Sequence, residues 1–198
     1  MSGDTQVRFC ESLRVRFPRA TRLVICCKPG TSGKAKEALQ RLIDRIGLQV
    51  NNEKTQVVNL RAQESFDFLG YTIGQFYGKN GVPYYGTRPS KKALKKVLDK
   101  IHAETSRRLL ISTPERRVLE INRILQGWCG YFNQGPVLPC YKVLRSYTER
   151  RLRRWLVKKH KLRGTTTGCR QYPDEFLYGK LGLYKIAQTM ADVSRAKA

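Results

Sequence analysis

Apolar residues follow two patterns along the chain, short runs around one helical stretch before about residue 74 and helical spacing after about residue 90. Leu23–Cys27 is an apolar run bounded by polar residues and predicts a buried strand. Pro29-Gly30-Thr31-Ser32-Gly33 is turn sequence, with Thr31 or Ser32 available as a helix N-cap. From Lys34, the apolar positions Ala35, Ala38, Leu39, Leu42, Ile43 and Ile46 step as i, i+3, i+4, i+7, i+8, i+11, which predicts an amphipathic helix stopped by Gly47. Short strands are expected near 48–50 and 56–60, on either side of the polar Asn51-Asn52-Glu53-Lys54, and another across 66–73. Residues 1–22 carry little pattern, and the Gly, Tyr and Pro of 74–89 read as a hairpin or linker.

Beyond residue 90 the period is helical. Ser90 is placed to cap a helix carrying Leu94, Val97, Leu98, Ile101 and Leu109. Thr113-Pro114 opens a second, proline being suited to the first helical position, with Val118, Leu119, Ile121, Ile124, Leu125 and Trp128 along one face. A third is expected from about Cys140 to Lys159, turning Leu144, Tyr147, Leu152, Trp155 and Leu156 inward. These elements predict an α+β chain, a small α/β piece followed by a three-helix bundle. Its expected divisions are an N-terminal segment (1–22), the α/β piece (23–74), a linker or hairpin (75–89), the bundle (90–163) and a C-terminal tail (164–198).

Charge narrows the function. The 198 residues carry 39 Lys and Arg against 15 Asp and Glu, a formal net charge of +24. That excess points to a polyanionic partner, nucleic acid before membrane. No run of about 20 apolar residues is present, and the N-terminus lacks signal-peptide character, so a cytoplasmic protein is expected. The six cysteines form no C-x-x-C pair, and His102 and His160 lie far from them in sequence, which gives a zinc site little support. Cys26 and Cys27 read as small buried residues with free thiols.

Gly30-Thr31-Ser32-Gly33-Lys34 falls short of a phosphate-binding loop, which needs four residues between its glycines and a Ser or Thr after the lysine. Residues 142–163 hold ten Lys and Arg against Glu149 alone. Like charges at i,i+4 repel, so a one-sign face is costly unless an anion covers it. The candidate RNA contacts are Arg88, Lys91, Lys92 and Lys95 around the first bundle helix, then Arg145, Arg150, Arg151, Arg153, Arg154, Lys158 and Lys159 on the third. The aromatics among them, Trp128, Tyr131, Phe132, Tyr141, Tyr147 and Trp155, are expected mainly in core packing.

The order of segments then becomes recognisable. The strand and helix, GLQVNNEKT (47–55) and FDFLGYTIG (66–74) resemble the end of the palm of a group II intron reverse transcriptase. RPSKKALKKVLDKI (88–101), ILQGWCGYFNQG (124–135), LRSYTERRLRRWLVKKHK (144–161) and YPDEFLYGKLGLYKI (172–186) resemble the same family's maturase-specific thumb, or domain X, and its C-terminal end. The resemblance implies binding of intron RNA, help with its splicing and, in intact members of these retroelements, RNA-directed DNA synthesis through two carboxylate-held Mg²⁺ ions. This sequence departs at that centre. Where the family carries Tyr-Ala-Asp-Asp before the strand, Arg19, Ala20, Thr21 and Arg22 stand here; aligned forward from Val15-Arg16-Phe17, the Ala-Asp-Asp meets Pro18-Arg19-Ala20. Neither register supplies a carboxylate, so no catalytic residue, metal ligand or cofactor is assigned to this chain. A truncated reading frame with a scrambled palm edge is the expectation, and Asp-Asp codons in another frame of the encoding DNA would test it. The alternatives are a polymerase part completed by another reverse transcriptase chain, and a generic basic nucleic-acid binder.

Overall fold

A computed structural model of the chain describes residues 6–14, 21–47, 49–52, 55–78, 80–162, 167–189 and 192. The fold is α+β, and it divides into two compact units, Met1–Thr87 and Arg88–Ala198.

In the first unit, β1 (Gln6–Arg14) is the central strand of a sheet. β2 (Thr21–Cys27) pairs antiparallel along one side of it, from Gln6↔Cys27 to Leu13↔Thr21, with a shift in register between Glu11 and Leu13. β3 (Gln49–Val50) and β4 (Thr55–Val58) share the other side, opposite Leu13–Arg14 and Val7–Cys10. The N-terminal segment, expected to be unpatterned, thus supplies the strand on which the sheet is built. Its sequence alternates Val7, Phe9 and Leu13 with polar or small residues, a two-residue period masked by Glu11 at an apolar place. Thr21 and Arg22 open β2, their backbones paired with Leu13 and Glu11. Arg19 and Ala20 lie outside the described residues.

Helix α1 (Ser32–Arg45) sets Leu39 and Ile43 against Leu23, Ile25 and Val50, while Val24 packs with Val58, Leu60 and Phe66. Alternate residues of β2 therefore face two small cores. Thr31 occupies the N-cap position, yet its hydroxyl donates backward to the Lys28 carbonyl (2.7 Å) and caps nothing. Leu42 and Ile46 remain exposed, as does Cys26, against the expectation that all three are buried. β2 is an outer strand of its sheet, and the two cores end before Cys26.

The run at 66–73 is two strands. β5 (Phe66–Phe68) turns back into β6 (Tyr71–Tyr77) through Leu69 and Gly70, both at positive φ (48° and 84°). A two-residue hairpin turn of this kind matches the twist of the strands; leucine in the left-handed region hid it from the sequence. β7 (Pro83–Pro89) completes a three-stranded sheet, and the Gly78 N–H donates to the Val82 carbonyl (2.9 Å) across the intervening turn.

The second unit is a three-helix bundle. In α2 (Lys91–Glu104) the Ser90 hydroxyl accepts from the Ala93 N–H (3.1 Å), and in α3 (Pro114–Tyr131) Thr113 accepts from Arg116 N–H (3.4 Å). Leu109 falls in a 3₁₀ turn at Arg107–Leu109 rather than in α2, and Leu119 faces solvent. α4 (Leu138–Lys159) buries Tyr141, Leu144, Thr148, Leu152, Trp155 and Leu156. Residues after the short helix α5 (Thr167–Gln171) complete the same core, to which Tyr172, Leu177, Leu183 and Ile186 contribute. Asn122 of α3 clips this segment in place, donating to the Gly182 carbonyl (2.8 Å) and accepting from the Tyr184 N–H (2.7 Å).

Candidate nucleic-acid interface

Helices α2 and α4 run in the same direction. Arg88 lies close enough to Cys140, at the start of α4, for its charge to oppose the upward push of burial on that thiol. Farther along, His102 Nδ1 and the Tyr147 hydroxyl are 3.3 Å apart, and Arg151 reaches the end of α2.

The cations of α4 separate by what their head groups touch. Arg151 donates to the Thr105 hydroxyl (2.9 Å) and to the His102 and Thr105 carbonyls (3.3 and 3.2 Å). Helix ends leave carbonyls unpaired and carry partial negative charge, so this guanidinium caps α2 from a neighbouring helix. Arg153 donates to the Tyr172 carbonyl (2.8 Å) and pairs with Asp174 and, more loosely, Glu149 (3.9 Å). The Tyr178 hydroxyl donates to Glu149 (2.6 Å); burial, then that carboxylate, pushes the phenol's pKa up, with Arg145 acting in the opposite sense. Lys159 donates to the Leu110 carbonyl (2.9 Å) over the Trp155 ring. Arg151, Arg153 and Lys159 therefore bind the bundle together, and Arg145 sits half-buried beside Tyr178.

Lys142, Arg150, Arg154 and Lys158 are exposed. With Ser146 they form one i,i+4 row over about 24 Å of helix. Arg150 lies over the half-buried Tyr147 ring, 5.6 Å from its centre. Through Tyr147 the row adjoins His102, which shares a face of α2 with Lys91 and Lys95 by the same periodicity. Lys92 is exposed elsewhere on α2, as is Arg88 just before the helix. The candidate interface thus gathers Lys91, Lys95, Arg150, Arg154 and Lys158 among the expected contacts and adds Lys142, His102 and Tyr147. Helical periodicity alone separates this row from Arg151 and Arg153.

Most of the aromatics are structural. Trp155, Tyr141 and Phe132 are buried, and Trp128 packs on the last two. Burial pushes the neighbouring Cys129 thiol up to about 12, so it stays protonated. Among the described residues no group of His, Cys, Asp and Glu could hold a metal ion, and no helix is long and apolar enough to cross a membrane.

No curated protein matches the chain. The family model of the group II intron maturase-specific domain matches residues 94–172, from α2 through α4 to the start of the clipped segment. The helical bundle matches the group II intron maturase-specific domain over residues 94–172, in agreement with the resemblance to the C-terminal part of a maturase.

Proposed function

We propose that the chain is an RNA-binding maturase fragment, acting in the cytoplasm, which grips group II intron RNA and assists its splicing without a polymerase centre of its own. The observation that carries this reading is the row Lys142–Arg150–Arg154–Lys158, a solvent-facing line of cations with no acid in it. Such a row is favourable when phosphates cover it, since each contact releases counterions. The family match supports group II intron RNA as the partner. The palm resemblance of residues 23–74 supports the same reading, since neither register before it, Arg19–Arg22 or Pro18–Ala20, supplies the carboxylates a polymerase needs.

Filter binding of the full chain to the flanking intron RNA, at several salt concentrations, tests it. The expected outcome is tight binding that falls steeply with salt and exceeds binding to unrelated RNA by at least about a thousandfold. Equal affinity for unrelated RNA would leave only generic phosphate binding.

A further inference from the structure

The β6–β7 hairpin of the first unit is rich in exposed rings that its core does not use. Tyr77 and Tyr85 are 58% and 56% exposed. The Phe76 and Tyr84 rings meet at 6.1 Å, which puts those two residues on one face of the hairpin. Alternation along a strand then puts Tyr77 and Tyr85 together on the opposite face. Tyr77 is also held: its hydroxyl accepts from Gln63 Nε2 (3.1 Å), on a turn fixed by Asn59 and Glu64. A ring held in place before binding loses less freedom when a ligand arrives.

Charge identifies the ligand. No Asp or Glu occurs between Asp67 and Asp99, in a protein of net charge +24. Arg61, exposed on the 3₁₀ turn Leu60–Ala62, stands two residues from Gln63. Flat exposed rings on a hairpin that carries no acid of its own, with a cation on the turn that holds Tyr77, suit nucleobases with phosphates alongside. A duplex keeps its bases stacked on one another, so only unpaired nucleotides offer free faces.

We infer that the Tyr77–Tyr85 face of the β6–β7 hairpin is a second RNA contact, one that stacks on unpaired nucleotides. It rests on the reading of the chain as an RNA binder and adds a site of different selectivity. The row on α4 holds phosphates of either form; this face takes single strands.

The test compares a 12-nucleotide oligouridine with a 12-base-pair RNA duplex, using the full chain. Replacing Tyr77 and Tyr85 with Ser should weaken oligouridine binding by at least about tenfold and duplex binding by less than about twofold. The Tyr77→Phe/Tyr85→Phe pair should retain oligouridine binding, because the ring and not the hydroxyl stacks. Crosslinking of a 4-thiouridine oligonucleotide to the wild-type chain should map to residues 76–86, a readout that does not depend on how the variants fold. Unchanged oligouridine affinity, an equal loss on both RNAs, or crosslinks confined to α2 and α4 would each overturn the inference while leaving RNA binding intact. A shift in the sedimentation of the protein alone, with RNA affinity unchanged, would assign the face to a protein contact and overturn it too. Failure of the wild-type chain to bind either RNA would remove the broader reading along with this one.

Discussion

Arg151 and Arg154 lie one turn apart on α4 and are identical in composition, yet one caps the end of α2 and the other faces water. The same contrast runs along the helix. Arg153 and Lys159 close the bundle, whereas Lys142, Arg150 and Lys158 continue the outer row. A basic run is therefore two populations: cations whose hydrogen bonds are made inside the fold, and cations that face water. Net charge reports their sum and helical phase separates them.

This division predicts different losses for the two populations. Trp155→Ala strikes the core beneath both and removes the ring over which Lys159 lies, so it should cost about 3–5 kcal/mol in a urea melt. A loss below about 1 kcal/mol would mean that this core is not the one described. Arg153→Met and Arg151→Met should each cost about 1.5–3 kcal/mol, the usual worth of hydrogen bonds from a charged donor, and leave the salt slope of RNA binding unchanged. If either variant lowers that slope at full stability, the inner population is an RNA contact after all.

The outer row should behave in the opposite way. Changing Lys142, Arg150, Arg154 and Lys158 together to Gln should move stability by no more than about 0.5 kcal/mol per site. It should also flatten the plot of log affinity against log salt by about 0.7–0.9 for each phosphate the variant no longer neutralises. An unchanged slope would take the row out of the interface.

The smallest effect concerns Tyr178. Its pKa in the fold is raised above the ordinary 10.0, so the unfolded chain gives up this proton first. Stability from this group is full below about pH 10 and falls as pH rises above it. Tyr178→Phe should blunt alkaline unfolding above that pH and leave the neutral-pH affinity for RNA alone. A wild-type alkaline limb identical to the variant's would show that the Glu149 contact does not hold the proton.

The helices were legible because their signals are local. Ser90, Thr113-Pro114 and Gly47 mark ends, and the apolar spacing between them is regular over many residues. What the sequence hid depends on distant partners. β1 is recognisable as a strand only once β2 and β4 pair with it, and the clipped segment packs on helices far back in the chain, held among others by Asn122 some 60 residues away. Every cation of the candidate interface but Lys142 could be named, but a sequence does not say that a guanidinium already has its acceptors. Arg151 and Arg153 are two such candidates, their donors already bonded within the fold. His102 and Tyr147 were overlooked because each looks ordinary alone; their pairing across two helices puts them in the basic face.

The Asn122 clip also bears on how the protein is made. α3 leaves the ribosome well before Gly182 and Tyr184 do, so Asn122 waits for partners still to be synthesised. Until Leu183 and Ile186 arrive, the groove they fill is open and apolar. Since domains close as units, this one seals only once residues 182–186 have been made and have joined α3, some 60 residues after the side chain that holds them.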